Sequence, residues 1–239
     1  MSWQERTLLL LGDEKVKKLN DAHVLVIGLG GVGGFAAEAI ARAGVGKMTI
    51  VDGDTVDPSN RNRQLIALSS THEESKAQLF EKRLKDINPD LNLEVINMFM
   101  DEQEIEDLLS AAPYDYVVEC IDTLTPKLHV IVKSMAKKLP LISSMGAGGK
   151  VDPSKARIAD ISKSYNCTLA RQVRKRLKEF KIKKGFKVVF SPEHIDHSKV
   201  KVVEGMTYKK SVIGTISYMP AIFGLNCASV VIRDLVERD

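Results

Sequence analysis

The chain is short of cysteines, of aromatic residues and of long apolar runs, and each shortage excludes something. Three cysteines in 239 residues, Cys120, Cys167 and Cys227, are odd in number and widely spaced. They suit neither a disulfide framework nor a four-cysteine zinc site. No CxxC pair occurs, so structural zinc is not expected and reduced core thiols are the plain reading. The longest apolar stretch, Val24 to Gly46, is interrupted by glycines, Glu38 and Arg42 and falls short of an unbroken bilayer span. Met1 to Lys18 mixes acids and bases without signal-peptide architecture, so a cytoplasmic protein with no membrane partner is expected. Aromatics are only 5% of the chain, yet 44% apolar residues can fill a core. That balance excludes disordered, collagen-like and coiled-coil chains. No linker-like Ser/Gly/Pro tract or internal repeat divides the sequence, and one domain over residues 1–239 is expected.

Net charge is small too, at +4, but its distribution says more than its sum. Arg171 to Lys187 holds nine bases against one acid, Glu179, a local +8; taken from +4, that leaves −4 for the rest. A solvated helix face is one reading of such a run. The alternative is a polyanion partner, with Arg171, Arg174, Arg176, Lys178, Lys181, Lys183, Lys184 and Lys187 meeting RNA phosphates. One acid is too few to lace the segment internally, which favours RNA.

What is present begins with His23-Val-Leu-Val-Ile-Gly28, an apolar run that reads as a buried parallel strand. A helix over Phe35–Ala43 and a strand over Lys47–Asp52 complete a βαβ unit. Ala77, Phe80, Leu84 and Ile87 predict an amphipathic helix that stops before Pro89. Strands at Leu93–Ile96, Tyr116–Ile121 and Leu139–Ser143 alternate with helices at Glu102–Ser110 and Pro126–Lys138. The alternation predicts an α/β, Rossmann-like, doubly wound and mostly parallel sheet over residues 22–145, the nucleotide-binding half. Residues 146–239 read as an irregular α+β half that continues the sheet and faces the substrate. Its elements are short β runs (Ala156–Ile161, Lys187–Phe190, Val200–Val203), a charged helix at Leu169–Lys181 and a last helix from Pro220 to Val236.

Gly28-Leu-Gly30-Gly31-Val-Gly33 follows the first strand and opens a helix, a placement that lets helix N–H groups face phosphate. Asp52 ends the second strand, near where a ribose-binding acid falls. The pattern points to a nucleotide without choosing between a dinucleotide and ATP. Asp54, then Ser59-Asn60-Arg61-Asn62-Arg63-Gln64, and Lys76 thirteen residues after Arg63 shift the choice toward a triphosphate. A hydride-transfer site for an NAD-dependent oxidoreductase is not evident, and a binding-only module would leave these cations without a task. Asp122 ends another strand and could hold Mg²⁺ against phosphate oxygens.

Gly28–Gly33, Asp52-Gly-Asp54, Ser59 to Gln64, Lys76 and Asp122 resemble the adenylation core of the ThiF/MoeB/HesA ubiquitin-activating-like superfamily. Arg61-Asn-Arg63-Gln64, Ile87-Asn-Pro89, Ala147-Gly-Gly149-Lys-Val-Asp-Pro153, Val173-Arg-Lys-Arg-Leu177 and Val189-Phe-Ser191 are most similar to its tRNA threonylcarbamoyladenosine dehydratase branch. The resemblance covers nearly the whole chain and implies an ATP- and Mg²⁺-dependent enzyme working as a homodimer on tRNA. It implies that Asp52 binds ribose, that Arg63 and Lys76 bind phosphates, and that Asp122 serves the α-phosphate and Mg²⁺. Asp54, Asn60, Gln64, Gly28, Gly30, Gly31 and Gly33 complete the implied nucleotide site, and Arg6 would be an arginine finger lent to the partner subunit. The alternative within the superfamily is activation of the C-terminus of a ubiquitin-like or sulfur-carrier protein. Relatives of that kind commonly carry CxxC pairs and a conjugating cysteine.

Cys167 stands where a thioester cysteine would lie but has no neighbouring histidine base in sequence, and an inert thiol is the preferred reading. Gly146-Ala-Gly-Gly149 either lines the acceptor pocket or makes a simple turn. His194 and His197 have no third ligand nearby and read as a surface loop. A sulfur-transfer partner is doubtful. Some relatives carry a cysteine near Val212–Ile213, within Met206 to Ser217, and this chain does not.

Overall fold

Seven strands form one sheet in the order β3-β2-β1-β4-β5-β7-β6, and a separate two-stranded ladder pairs β8 with β9. The computed structural model describes residues 2–196, 198, 200–202 and 211–237. His197, Val203 and Met206–Lys210, which the sequence reading touched, lie outside them.

The centre of the sheet is built as its sequence demands. β1 (His23–Ile27) is buried at every position, as expected of a strand covered on both faces. It pairs in parallel with β2 (Lys47–Val51) and with β4 (Tyr116–Glu119). Between β1 and β2 runs α3 (Gly33–Arg42), whose Ala36, Ala37, Ile40 and Ala41 are buried. β3 (Asn92–Ile96) forms one edge and β5 (Leu141–Ser144) follows β4. The chain runs β1 to β3 in one direction and β4 to β5 in the other. The carboxyl ends of β1 and β4 therefore flank the switch point, where open α/β sheets bind ligands.

α4 (Lys76–Ile87) is capped by the Ser75 hydroxyl, which accepts from the Gln78 N–H at 3.4 Å. It ends at Asn88 because the following Pro89 disfavours helical backbone there. Its Phe80 is fully buried, and removing such a ring from water contributes about 2–3 kcal/mol. α5 (Glu102–Ala111) starts with a reciprocal Asp101–Glu104 capping box at 2.9 and 2.7 Å. α6 (Leu124–Ala136) then leads to β5.

In the C-terminal half, β7 (Lys187–Phe190) extends the parallel sheet beside β5, and β6 (Arg157–Asp160) closes the edge antiparallel to β7. The sheet is thus continued as expected, but by β6 and β7 only. β8 (Val200–Val202) and β9 (Ser211–Ile213) pair with each other instead. The basic helix is α7 (Thr168–Leu177), shorter than predicted. A 3-10 turn over Lys178–Phe180 follows it, and Lys181 then stops the chain in left-handed backbone at φ 59°. α8 (Tyr218–Val236) begins two residues before Pro220.

Two core layers enclose the sheet. One joins Leu19, Ile40, Phe80 and Phe223 from α2 (Asp13–Asp21), α3, α4 and α8; the other joins Leu108, Ile131 and Val173 from α5, α6 and α7. By length and composition α8 is apolar enough to cross a membrane, which the sequence reading did not count. In the structure it packs on α3 as a core helix, and a Cβ at Gly224 would lie 2.3 Å from the Val32 carbonyl oxygen. The N-terminal helices α1 (Glu5–Leu11) and α2 were not foreseen.

Candidate active site

The glycine loop is shaped by two contacts that only glycine permits. Gly28 has φ +89° and leaves no space for a side chain beside Cys120, 3.0 Å from where its Cβ would stand. A Cβ on Gly33 would lie 1.7 Å from the Gly28 carbonyl oxygen, so α3 begins directly against the loop. Among the described residues, the N–H groups of Gly30, Gly31, Val32 and Gly33 have no backbone acceptor. These donors open a helix N-terminus and are suited to an anion.

β2 delivers the acids. Asp52 Oδ2 accepts from the Leu29 N–H at 2.6 Å and Oδ1 from the Asp54 N–H at 2.8 Å. Its carboxylate therefore ties the glycine loop to its own strand end, and the remaining lone pairs can still accept from a ribose. Burial pushes the Asp52 carboxyl above its usual range, against the pull of Lys76 and these two N–H groups. Lys76 is 4% exposed and donates to Asp54 Oδ2 at 3.0 Å. A lysine buried this deeply with an exposed partner is a fixed point of positive charge at the edge of the cleft.

The Arg63 turn approaches from the other side. Asp57 caps a 3-10 turn over Pro58–Asn60, and the Asn60 side chain accepts from the Asp57 N–H at 3.3 Å. Asn60 is therefore built into the turn. Arg63 Nη1 donates to the Ser59 carbonyl at 2.8 Å and to Asn62 Oδ1 at 2.9 Å. A Cβ on Gly31 would meet the Arg63 backbone and stem within 3.4 Å, so this arginine borders the glycine loop. Gln64 is 9% exposed and its Oε1 is buried without a hydrogen-bond partner, while Nε2 sits by Gly30. A buried orphan acceptor costs about 1–3 kcal/mol unless a ligand donor meets it.

Beneath Asp122 lies a network that sequence reasoning missed. Glu119 and Lys127 are both 0% exposed and form an ion pair. Lys127 also donates to the Ser144 carbonyl at 2.9 Å, and the Ser143 hydroxyl donates to Glu119 Oε2 at 2.5 Å. The other Glu119 oxygen accepts from the Ile121 N–H at 2.7 Å, so one buried pair ties the exits of β4 and β5 together. Burial pushes the Glu119 carboxyl up, opposed first by the Lys127 charge. The available signal was Lys127 on the apolar face of α6 beside Leu128 and Ile131, eight residues after an acid ending a buried strand.

The remaining candidates divide. Asp122 is exposed at the β4 exit, on the same edge as Gly28 and Asp52. Gly146 to Gly149 follows β5 there, and the Gly149 N–H donates to Gly214 at 2.8 Å. Asn62 donates to the Thr215 carbonyl at 2.9 Å, linking the Arg63 turn to that segment. Arg6 is not brought to the loop. It is exposed on α1, and neighbouring Gln4 packs on Gly44, at the opposite, amino edge of the sheet. Cys167 is buried at the start of α7, and Lys150 is buried as well. Burial lowers the Lys150 ammonium pKa, opposed by Cys167 and Glu193. The neighbouring Cys227 thiol, distant in sequence, and burial push the Cys120 thiol up. His194 sits in an exposed loop.

The basic segment is real but smaller than its sequence. Arg171, Arg174 and Lys175 share one α7 face, and with Lys178 of the following turn and Lys183 they line a cleft of about 540 Å³. Lys175 was not among the expected RNA contacts. Lys187 does not join this face, because it points through the sheet to Asp234 of α8 at 2.6 Å. Strand alternation explains this: Val188 and Phe190 face the α7 side, Val189 the other. Arg174 is turned partly inward onto the Ser164 carbonyl at 2.8 Å, and Arg176 pairs with Glu179 at 3.7 Å. Arg171, Lys178, Lys181, Lys183 and Lys184 are exposed.

A nucleoside triphosphate fits this edge. Loop N–H groups without a backbone acceptor, the Gln64 amide beside Gly30, Arg63 beside Gly31 and Lys76 beside Asp54 lie at one edge of the sheet. Among the described residues no three His, Cys, Asp or Glu side chains gather into a metal cluster. A divalent ion would then need oxygens from phosphates and water beside one carboxylate, a donor set Mg²⁺ accepts.

Comparison with known proteins agrees. The ThiF family matches residues 4–239. The tRNA threonylcarbamoyladenosine dehydratase of Bacillus subtilis is 37% identical across 97% of this chain and 94% of its own. That of Escherichia coli is 36% identical across 80% of this chain and 75% of its own. The crystal structure of the E. coli tRNA N6-threonylcarbamoyladenosine dehydratase in complex with ATP superposes with a TM-score of 0.87 at 32% identity. It covers 98% of this chain and 94% of the E. coli chain. This chain belongs to the ThiF family, in its tRNA threonylcarbamoyladenosine dehydratase branch.

Proposed function

We propose that this chain is an ATP-dependent tRNA threonylcarbamoyladenosine dehydratase. The observation that carries the reading is a loop whose N–H groups have no backbone acceptor at the switch point of the sheet, bordered by Arg63, with the buried Lys76 docked on Asp54 at the next strand end. The threonyl carboxylate of the modified adenosine attacks the α-phosphorus of ATP, and the bond to pyrophosphate breaks. The substrate's own ureido group then attacks the activated carbonyl carbon, the ring closes and AMP leaves. The nucleoside loses the elements of one water. Intramolecular attack has a high effective molarity, so no enzyme nucleophile is needed and Cys167 stays a core thiol.

In this reading the chain positions and stabilises charge. Asp52 takes the ribose, the glycine loop holds phosphate, the orphan Gln64 oxygen accepts from a hydroxyl or amino group of the nucleotide, and Arg63 and Lys76 meet the charge that builds as pyrophosphate leaves. Asp122 holds Mg²⁺, which when bound neutralises phosphate charge. Residues 22–145 serve ATP and residues 146–239 the tRNA, in the cytoplasm. Support for a homodimer comes from α1, where Leu9 and Leu10 are each 82% exposed beside Arg6 and invite cover by a second copy. A sulfur-transfer partner gains no support. Activation of a protein C-terminus is less supported, since the relatives compared above carry the dehydratase name.

The test is to incubate the protein with ATP and threonylcarbamoyladenosine-bearing tRNA and weigh the nucleoside. Loss of one water, abolished by Arg63→Ala and Asp122→Ala, supports the reading; no change with folded protein overturns it. Mixing Arg6→Ala with Arg63→Ala protomers tests the dimer. Partial recovery of activity is expected if Arg6 serves the partner's site, and none if it does not.

A further inference from the structure

Beyond the nucleotide crevice, the same edge carries an open cleft of about 480 Å³, lined by Lys155, Arg157, Tyr165, Asn166, Glu193 and His194. We propose that this cleft takes one unstacked RNA nucleotide flanking the adenosine under modification. The inference rests on the dehydratase reading and adds a specific base-binding subsite to it.

Four observations carry it. Tyr165 is 48% exposed and is held edge-on by buried Phe190, ring centroids 5.7 Å apart at 73°. A propped, half-exposed aromatic face of this kind stacks bases. Arg157 lies opposite Phe190 in the β6–β7 register, is exposed, and has no acidic partner among the described residues. Tyr165 and Arg157 therefore flank Phe190 from two sides, one offering a ring and the other a planar cation.

The one acid in the lining is turned away from a ligand. Glu193 Oε1 accepts from the Val151 and Asp152 N–H groups, both at 3.1 Å, and Oε2 accepts from the Ser191 hydroxyl at 2.9 Å. These bonds hold its carboxyl below the usual range although burial opposes them. What faces outward is cationic or neutral: Lys155, weakly paired to Asp152 at 3.3 Å, with Arg157, His194 and Asn166. Asn166 and His194 stand 3.5 Å apart and present polar groups to a base edge.

Position completes the argument. Glu193 clasps the segment after Gly149, so the cleft adjoins the acceptor side of the crevice. In the sheet order β7 stands two strands from β4, roughly 10 Å from the Asp122 exit. A neighbouring nucleotide of a splayed loop spans such a gap. Asn166 also directly precedes Cys167 and α7, so the chain leads from the cleft into the helix that carries Arg171, Arg174 and Lys175.

The experiment is a binding cycle on the intact protein with its substrate tRNA. The base on each side of the modified adenosine is removed in turn, and Tyr165→Leu and Tyr165→Phe are compared with wild type. One stacked base is worth about tenfold in affinity. Removing the base that enters the cleft should weaken wild-type binding about tenfold and leave Tyr165→Leu unaffected by the removal. Tyr165→Phe should keep wild-type affinity, which a folding defect would not reproduce for one variant alone. Arg157→Ala should lower the salt slope by about one. ATP affinity, to which none of these residues contributes, is measured on every variant to confirm folding. If wild type dehydrates the tRNA but both abasic RNAs affect wild type and Tyr165→Leu equally, the cleft proposal falls alone. If wild type neither binds nor dehydrates the tRNA, the dehydratase reading falls and takes the cleft with it.

Discussion

At the exits of β1, β2 and β4, positive charge is compact and fixed; at the start of β6, beside the exit of β7, and along α7 it is spread and solvated. Lys76 is 4% exposed and docked on Asp54, and the loop donors come from backbone that cannot move without disturbing α3. Across the sheet, Arg157, Lys155, Arg171 and Lys178 are exposed on separate elements. The acids there are consumed by their own backbone: Asp152 by Ser154, Asp160 by Ser162 and Gly185, Glu193 by Val151 and Asp152. A buried charge acts strongly at short range and is little screened by salt, which suits a triphosphate. Exposed charges sum over a long polyanion and are screened within about 8–10 Å. The compact and the spread charges thus suit two anions by two different devices.

Glu119 and Lys127 tie the β4 exit to β5, the strand that stands between the two regions, so breaking that pair should disturb both. Lys127→Met leaves a buried carboxylate uncompensated, and a loss of about 3–5 kcal/mol of stability is expected in denaturant titration. An unchanged midpoint would show that the pair does not tie the β4 and β5 exits. Lys76→Ala tests the compact region alone. It should reduce turnover by about 10²–10³-fold while tRNA affinity holds, read by single-turnover kinetics and filter binding. The smallest effect is expected from the spread region. Replacing Lys175, Lys178 and Lys183 together by alanine should reduce the tRNA salt slope by up to about three while leaving ATP affinity unchanged. A triple variant that loses ATP affinity instead would erase the distinction.

How much of this was legible in sequence follows the same divide. β1, α3, β2, α4, α5 and α6 announce themselves because continuous apolar strands and three-four helix spacings recur with glycine and proline stops. The glycine loop and Asp52 were readable because their spacing is set by backbone geometry. The C-terminal half was harder. β9 pairs only with β8 and joins no sheet face, so it leaves no apolar alternation to read. α1 carries Leu8 to Leu11 but buries no residue, a pattern without a core face. Lys187 looked like part of the basic run because sequence order hides strand alternation, which sends it to Asp234. Glu119 and Lys127 escaped notice because each alone looks like an ordinary charge. Only the fold shows that both are fully buried.

The central claim is that the chain adenylates a carboxylate on its RNA substrate and lets that substrate close its own ring. The most direct measurement follows oxygen. The threonyl carboxylate of the tRNA-borne nucleoside is labelled with heavy oxygen, ATP is added, and the released nucleotide is weighed. Attack on the α-phosphorus followed by ring closure must leave one labelled oxygen on AMP. Unlabelled AMP, or label found in inorganic phosphate with ADP released, would contradict the account.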